Sequence, residues 1–269
     1  MKIKIKYSDN EELISLIINN FNDINNKSNV IYLNCHDNKE LTTLKGIEVF
    51  SNLYELNCCN NKLITLEDID KLTNLQILIC YNNELISLEG IDKLTNLQLL
   101  ECHHNKLTTL KGIDKCINLH KLYCNGNKLT TLEGIETLYN LQILYCCDNK
   151  LTTLKGIEKL FNLRKINCCN NKLITLKGVD KLYNLQILKC KHNQLIILNE
   201  IKKLTNLIYL DCCYNQLISL KGIDKCIKLE KIDCLNNKLI YFWNKINCER
   251  KYIKQYKYKS YIYDLLNYE

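Results

Sequence analysis

A cysteine recurs along this chain at an almost constant interval. Ten cysteines are separated by one step of 23 residues and eight of 22, and an asparagine follows each of them three residues later. Self-similarity at a period of 20 to 30 residues is typical of a solenoid, whose repeats cannot bury their apolar faces alone. The cysteines are Cys35, Cys58, Cys80, Cys102, Cys124, Cys146, Cys168, Cys190, Cys212 and Cys234. The asparagines are Asn38, Asn61, Asn83, Asn105, Asn127, Asn149, Asn171, Asn193, Asn215 and Asn237.

Each repeat reads LxxLxCxxNxLxxLxGIxxL, most clearly from Leu97 to Cys116, where leucine stands at the place of Cys116 in most other repeats. Counted from the first leucine, the cysteine is position 6, the asparagine 9 and the glycine 16. Positions 4 and 6 are apolar and alternate with more variable residues, which predicts a short strand with one face in the core. With so few residues per turn, consecutive strands must run parallel, about 4.8 Å apart.

Two of these columns have structural roles that follow from their chemistry. We expect the position-9 asparagines to be buried and to hydrogen-bond the backbone of their own and the adjacent turn. The position-6 cysteines act as small apolar core side chains. Position 16 departs from glycine at Asp68, Glu200 and Asn244.

The columns resemble the leucine-rich repeat family, with cysteine in place of a strand leucine. Repeat length and the LxGIxxL half are similar to protein phosphatase 1 regulatory subunits and bacterial internalins, and the cysteine columns resemble leucine-rich repeat proteins of large DNA viruses. The resemblance implies an α/β repeat solenoid. Its array would be curved, with a parallel concave sheet of about ten strands and short helical or irregular convex segments.

We expect one domain in three parts: an N-terminal cap at residues 1–28, ten repeats at 29–249, and a Tyr/Lys-rich C-terminal cap at 250–269. Residues 1–7 alternate Lys and Ile and predict a strand rather than a secretory signal. Ser8 and Glu11 form a capping box, and apolar residues then recur at helical spacing. The cap is therefore predicted to be a strand followed by a helix from about Asp9 to Asn22.

Hydropathy and charge suggest where the protein resides and what its surface presents. No apolar run approaches the roughly 18 residues of a membrane span, so we expect a soluble protein of the cytoplasm, or of the host cytoplasm if the chain is viral. The net charge of +8 is partly balanced by Asp or Glu at position 18 beside Lys at position 19. Position 10 is less balanced and forms either a solvated rim or a surface that steers acidic partners. Its lysines include Lys62, Lys106, Lys128, Lys150, Lys172 and Lys238, and Glu84 is the one acid in the column.

The cysteines do not indicate a metal site. A straight ladder of thiols does not converge tetrahedrally on zinc, and aligned neighbours do not readily reach disulfide geometry. Four more cysteines, at position 7, are expected to face outward on the concave side as incidental thiols, and the neighbours Cys147 and Cys169 are the best candidates for oxidation or metal capture. The other two are Cys59 and Cys213.

No motif points to an enzyme. Cys102 and His103 lie on opposite sides of a strand and cannot converge as a nucleophile pair. The sequence shows no glycine-rich phosphate loop, paired histidine motif or serine elbow. We expect no catalytic residue, metal or cofactor.

The variable concave positions 3, 5 and 7 carry the candidate function. They are unusually apolar and aromatic in the middle of the array, and exposed patches of this kind mark interaction sites. We expect a monomer that binds an unidentified protein there, although a bent sheet could cover its own position-3 side chains. The candidate residues are Ile77, Ile79, Tyr81, Leu99, Glu101, His103, Tyr123, Ile143, Tyr145, Lys189, Tyr209 and Asp211.

Two other functions remain open. The last residues interleave lysines with tyrosines, a composition that could bind single-stranded nucleic acid through phosphate contacts and stacking. We prefer the interpretation as a C-terminal cap whose lysines point to water, and nucleic acid is not the partner we expect. The resemblance to internalins implies a surface adhesin as the third possibility. The missing export signal and the reduced type of cysteine usage argue against it.

Overall fold

A computed structural model describes residues 1–239 and the backbone of residues 248–249. Its strands form one 13-stranded sheet in the order β13-β12-β11-β10-β9-β8-β7-β6-β5-β4-β3-β1-β2. Ten of these, β3 to β12, are parallel and come one from each repeat, which confirms the predicted solenoid. Their bounds are β3 Val30–Asn34, β4 Glu55–Asn57, β5 Ile77–Ile79, β6 Leu99–Glu101, β7 Lys121–Tyr123, β8 Ile143–Tyr145, β9 Lys165–Asn167, β10 Ile187–Lys189, β11 Tyr209–Asp211 and β12 Lys231–Asp233.

The interior is one continuous stack of identical columns. The leucines of positions 1, 4, 11 and 14 and the apolar residues of positions 17 and 20 are buried along the array. All ten position-6 cysteines are completely buried among them. Burial raises the pKa of Cys102 to about 12, so that its thiol stays protonated and apolar.

Each position-9 asparagine binds the backbone of two repeats. Asn105 Nδ2 donates to the carbonyls of Cys102 and Cys80, both at 3.1 Å, and its Oδ1 accepts from the Leu85 N–H at 3.0 Å. The same three bonds recur at Asn83, Asn127, Asn149, Asn171, Asn193, Asn215 and Asn237. These bonds satisfy buried backbone groups that neither the strands nor the turns pair.

The convex side consists of one short 3₁₀ helix per repeat. Most begin after a position-16 glycine in the left-handed region, and Asp68 takes the same conformation, with φ of 64°. Glu200 does not, because its turn is absorbed into a longer 3₁₀ helix. The convex helices are Ile47–Val49, Ile69–Lys71, Ile91–Lys93, Ile113–Lys115, Ile135–Thr137, Ile157–Lys159, Val179–Lys181, Asn199–Lys203 and Ile223–Lys225, and two more near the N-terminus are Phe21–Asp23 and Lys27–Asn29.

The N-terminal cap differs from the predicted strand and helix. Strand β1 (Lys2–Tyr7) forms as expected, but the helix predicted from about Asp9 to Asn22 is wrong, since Asn10–Ile17 is strand β2. The two strands form an antiparallel hairpin in which Tyr7 pairs with Asn10. Strand β1 also pairs antiparallel with β3.

Residues 10–17 form a strand because pairing with β1 outweighs the helical spacing of their apolar residues. The helix is predicted from the spacing of Leu13, Ile14, Ile17, Ile18 and Phe21. The same segment also carries Ile14, Leu16 and Ile18 at strand spacing, and these three pack on the core, whereas Ile17 is 82% exposed. A strand here pairs the edge of β1 that a helix would have left without hydrogen bonds.

At the other end, strand β13 (Cys248–Glu249) pairs antiparallel with β12. The predicted C-terminal cap at 250–269, with its tyrosines and lysines, lies outside the described residues. Within the described part of the chain, no helix is long and apolar enough to cross a membrane.

Candidate functional site

The twelve predicted partner-binding side chains lie half-buried on the sheet face that points away from the core, which we call the concave face. Strand register brings nine of them together on β5 to β8 and the residues that directly follow β5 and β6. Tyr123, for example, lies between Glu101 and Tyr145 on the adjacent strands. The other three, Lys189, Tyr209 and Asp211, lie on β10 and β11, and β9 separates the two groups.

Seven of the nine form an apolar surface that we call the aromatic patch: Ile77, Ile79, Tyr81, Leu99, Tyr123, Ile143 and Tyr145. Tyr123 and Tyr145 meet edge to face, with ring centroids 5.1 Å apart and an interplanar angle of 86°. Tyr81 stacks on His103 at 4.4 Å and 13°. Such contacts hold the rings in fixed orientations on a sheet that is itself rigidly bonded.

Burial sets the charge of this surface. It lowers the pKa of His103 to about 4, with a further contribution from His104, so that the imidazole is neutral near pH 7. Burial also raises the pKa of Tyr123, as do Tyr145 and Glu101. Burial raises the pKa of Glu101 above its usual value, and Lys121 offsets only part of this shift. The patch thus presents neutral rings around one carboxyl group.

The second group is held by polar contacts. The Tyr209 hydroxyl donates to Asp233 Oδ2 at 2.6 Å, and the Lys231 ammonium lies 3.1 Å from the same oxygen. Burial and this hydrogen bond raise the pKa of Tyr209. The ammonium groups of Lys231 and Lys189 lie 5.0 and 5.8 Å from the centroid of the Tyr209 ring. These contacts fix Tyr209 between the charges of three strands.

Comparison with known proteins identifies the architecture. A family model for leucine-rich repeats in two copies matches residues 117–159. A solved leucine-rich repeat protein of Leptospira interrogans is 34% identical, with a TM-score of 0.61, over 74% of this chain and 59% of its own. The chain is a leucine-rich repeat protein.

Two internalins of Listeria monocytogenes share the fold of this leucine-rich repeat protein. InlF is 18% identical, with a TM-score of 0.76, over 79% of this chain and 63% of its own. The functional domain of InlJ, which includes a cysteine ladder, is 29% identical with a TM-score of 0.63, over 81% of this chain and 52% of its own. The chain thus spans between about half and two-thirds of these structures. No curated protein sequence matches it significantly.

The position-7 cysteines of the leucine-rich repeat protein do not all face outward. Cys59 and Cys213 are buried, and the Cys59 thiol contacts the Tyr81 hydroxyl of the following repeat. Cys147 and Cys169 are half-buried, and burial raises their pKa values to about 12 and about 11.

Metal and nucleophile chemistry find no support in these side chains. The thiols are protonated near pH 7 and are poor nucleophiles. Within residues 1–239, no group of three or more His, Cys, Asp or Glu residues could hold a metal ion. Cys102 is buried while His103 and His104 lie at the surface, so these three do not converge.

A second apolar surface of the leucine-rich repeat protein escaped the sequence reasoning. Position 21 carries Ile117, Tyr139, Phe161 and Tyr183 on four consecutive repeats, with exposed fractions of 53, 52, 52 and 49%. We call it the flank stripe, since it lies on the turn before each strand. The sequence does carry a signal for this stripe, because an asparagine recurs at position 22, directly after it. The side-chain amide of this asparagine donates to the position-21 carbonyl of the preceding repeat, as Asn140 does to Ile117 at 3.1 Å.

The basic rim at position 10 is partly neutralised. Lys106 pairs with Glu84 at 2.8 Å and Lys62 with Glu40 at 3.6 Å. Lys128, Lys150 and Lys172 follow on consecutive repeats, and none of them has a carboxylate within 4.0 Å among the described residues. All three are exposed to solvent, where single charges contribute little.

Proposed function

We propose that this leucine-rich repeat protein is a non-catalytic scaffold that binds a protein partner through its concave face, with the aromatic patch as the main contact. One observation carries the proposal. Seven apolar or aromatic side chains lie half-exposed on four adjacent strands and, for Tyr81, two residues after one of them, at positions where a sheet facing water normally carries polar residues. Solenoids present such surfaces to their partners, since the exposed columns vary without cost to the core.

The patch suits binding because little of it must be ordered when a partner arrives. The strands beneath it are tied by the asparagine bonds of every repeat, and Tyr123 and Tyr145 already restrain each other. Rigid aromatic side chains are the commonest residues to dominate binding energy. Glu101 supplies one polar group near the centre, which adds specificity to an otherwise apolar contact.

The groups that could perform chemistry are in unreactive states, which supports a non-catalytic role. The thiols of Cys147 and Cys169 have raised pKa values, and the imidazole of His103 has a lowered one. In the part of the chain that the structure describes, no pairing activates either type of group in the way that a catalytic nucleophile requires. We also propose that the protein acts as a monomer in the cytoplasm, because its many buried thiols suit a reducing compartment.

The test compares two double variants in a capture experiment from cells that contain the native partner. Tyr123→Ala with Tyr145→Ala removes the centre of the aromatic patch, and Tyr139→Ala with Tyr183→Ala removes the same chemistry from the flank stripe. Proteins retained by the wild type should fall at least tenfold with the first variant and persist with the second, since loss of central aromatic anchors typically costs 2 kcal/mol or more.

Thermal unfolding of both variants provides the control. The two melting temperatures should agree within a few degrees, because each variant truncates two partly exposed tyrosines. Equal loss of the captured protein with both variants, or loss only with the flank variant, would refute the concave assignment. If the concave variant is unfolded, Tyr123→Phe with Tyr145→Phe, which keeps the rings, should restore both the fold and the captured protein.

A further inference from the structure

Three half-buried lysines lie next to the aromatic patch on the concave face, and we call them the lysine triad: Lys165, Lys189 and Lys191. Lys165 begins β9 and Lys189 ends β10, where Asn167 is its neighbour across the ladder. Lys191 follows two residues later on the same side of the strand. Adjacent strands lie about 4.8 Å apart and alternate residues about 7 Å apart, so the three ammonium groups can reach a common region.

No acid among the described residues forms an ion pair with the triad. Among the described residues, no carboxylate oxygen lies within 4.0 Å of its ammonium groups. Lys231, two strands beyond β10, does pair with Asp233, at 3.1 Å. Half-buried lysines without a counter-ion are uncommon, because partial desolvation of an ammonium group is costly unless an anion is near.

Aromatic rings instead lie near two of the three ammonium groups, those of Lys189 and Lys191. The Lys189 ammonium lies 5.8 Å from the centroid of the Tyr209 ring, and the Lys191 ammonium lies 5.1 Å from that of Tyr214. Cys169 follows β9 by two residues, at the position that Lys191 occupies in the next repeat. Burial raises the pKa of Cys169 to about 11, whereas Lys189 and Lys191 lower it. Both lysines are therefore close enough to this thiol to stabilise its anion.

The neighbouring residues set limits to the positive region. On the side of β8 the triad adjoins Ile143 and Tyr145 of the aromatic patch. On the other side, Asp211 and Asp233 continue the position-5 column on β11 and β12. A ligand lying across the strands would therefore meet apolar rings, then three positive charges, and then two carboxylates.

We propose that the lysine triad binds an acidic segment of the partner, two or three Asp or Glu side chains that lie directly beside the residues held by the aromatic patch. This inference rests on the proposed function, since it names the partner chemistry of the same face. An extended peptide places alternate side chains about 7 Å apart, the same spacing as alternate residues such as Lys189 and Lys191 have along an extended chain. The half-burial of the lysines makes such pairs stronger than contacts on the open surface.

The probe is a displayed library of random twelve-residue peptides, selected separately on four proteins. These are the wild type, Lys165→Gln/Lys189→Gln/Lys191→Gln, the rim control Lys128→Gln/Lys150→Gln/Lys172→Gln, and Tyr123→Ala/Tyr145→Ala. The two lysine variants remove the same net charge. Neither breaks an ion pair among the described residues, so both should melt like the wild type.

Peptides enriched on the wild type should combine apolar or aromatic residues with at least twice the Asp and Glu content of the unselected library. The acidic enrichment should vanish on the triad variant and persist on the rim control. In fluorescence anisotropy, the most enriched peptide should bind the triad variant at least tenfold more weakly than the wild type, and added salt should reduce this difference.

Other outcomes overturn one proposal or both. Acidic enrichment that persists on the triad variant, or that is lost equally on the rim control, refutes the triad. Apolar enrichment that is unchanged on the tyrosine variant refutes the aromatic patch instead. No enrichment on the wild type counts against both. A twelve-nucleotide single strand that displaces the peptide and binds through the triad would assign the lysines to nucleic acid and refute an acidic protein segment.

Discussion

Asn38 and Lys2 bond each other in both directions at the N-terminal end of the array. The Lys2 N–H donates to Asn38 Oδ1 at 2.7 Å, and Asn38 Nδ2 donates to the Lys2 carbonyl at 2.7 Å. In later repeats the corresponding groups come from the preceding repeat, as Leu85 and Cys80 provide them for Asn105. Strand β1 therefore supplies the backbone that a missing repeat would have supplied.

This relationship predicts a graded cost for removing asparagines. Asn105→Ala should lower the free energy of unfolding by about 2 to 3 kcal/mol, because it leaves buried carbonyl and N–H groups without partners. Asn38→Ala should cost less, about 1 to 2 kcal/mol, since its site is open to water. Urea denaturation followed by circular dichroism measures both.

Asn96→Ala is the matched control for this series. Asn96 makes a single exposed bond to the Thr73 carbonyl at 3.0 Å, and its loss should cost no more than about 1 kcal/mol. Equal costs at Asn96 and Asn105 would show that the buried ladder has no special weight in stability.

Asn61 shows how an inserted residue disturbs the same pattern. Its Nδ2 donates to the Cys35 and Cys58 carbonyls, but its Oδ1 is buried and has no hydrogen-bond partner among the described residues. Repeat one carries the extra residue, and the Leu41 N–H, which the pattern would aim at this oxygen, donates to the Asn38 carbonyl at 2.7 Å instead. The insertion thus costs the array one acceptor bond.

Alkaline pH should destabilise the protein through its buried thiols. Burial raises the pKa of Cys102 to about 12, whereas the pKa of a thiol in the unfolded chain is about 8.5. Because the folded pKa is the higher one, this stability is complete below about pH 8.5 and is lost as the pH rises toward 12. Urea midpoints should be constant from pH 7 to 8 and fall steeply from pH 9 to 10.

Cys102→Val isolates one of these thiols. The variant lacks one ionisable group of the unfolded chain, so between pH 8 and 10 it should lose about 2 kcal/mol less than the wild type. Identical pH profiles of the two proteins would mean that Cys102 ionises as readily when folded as when unfolded.

Much of the fold could be predicted from the period, because each column of the repeat meets the same environment ten times. The N-terminal hairpin could not, since Leu13, Ile14, Leu16, Ile17 and Ile18 satisfy helix and strand spacing alike. Only the unpaired edge of β1 decides between the two, and an edge is a property of the assembled sheet.

Only part of the candidate site could be predicted from the sequence. Alternation places Tyr123 and Tyr145 on the concave face, and parallel register makes them neighbours. Alternation does not reveal that Lys165 and Lys191 lack a counter-ion, because the distances to Asp211 and Asp233 depend on side-chain conformation. The contact of the Cys59 thiol with the Tyr81 hydroxyl likewise joins two repeats, so a single repeat does not display it.

Native alkylation should discriminate the cysteines by location. Cys147 and Cys169 are half-buried, whereas Cys102 is fully buried and can react only after local or global opening. With iodoacetamide at pH 8, Cys169 should react faster than Cys147, since burial and the neighbouring Asp148 raise the pKa of Cys147 further. Peptide mass spectrometry over time measures each rate.

The unfolded chain is the control for this experiment. In guanidinium chloride the same three cysteines should react at similar rates, because burial no longer separates their pKa values. Labelling of native Cys102 as fast as native Cys169 would contradict the burial of the cysteine ladder.

Position 8 provides the last prediction, since it adopts a left-handed conformation in every repeat, with φ between 51° and 64°. Asn, Asp and His occupy most of these sites and Gly126 occupies one. A Cβ atom at Gly126 would lie 2.5 Å from Nδ1 of His104. Gly126→Ala therefore combines backbone strain with a side-chain clash, and it should destabilise the fold by about 1 to 3 kcal/mol.

A double-mutant cycle separates these two effects. In a His104→Ala background the clash is absent, so Gly126→Ala should cost only the left-handed strain of about 1 to 2 kcal/mol. The His104 ring is at the surface and can move aside, which limits the coupling between the two sites to about 1 kcal/mol. Calorimetric melting of the four proteins measures the coupling. A cost of Gly126→Ala that does not change when His104 is removed would assign the whole effect to the backbone.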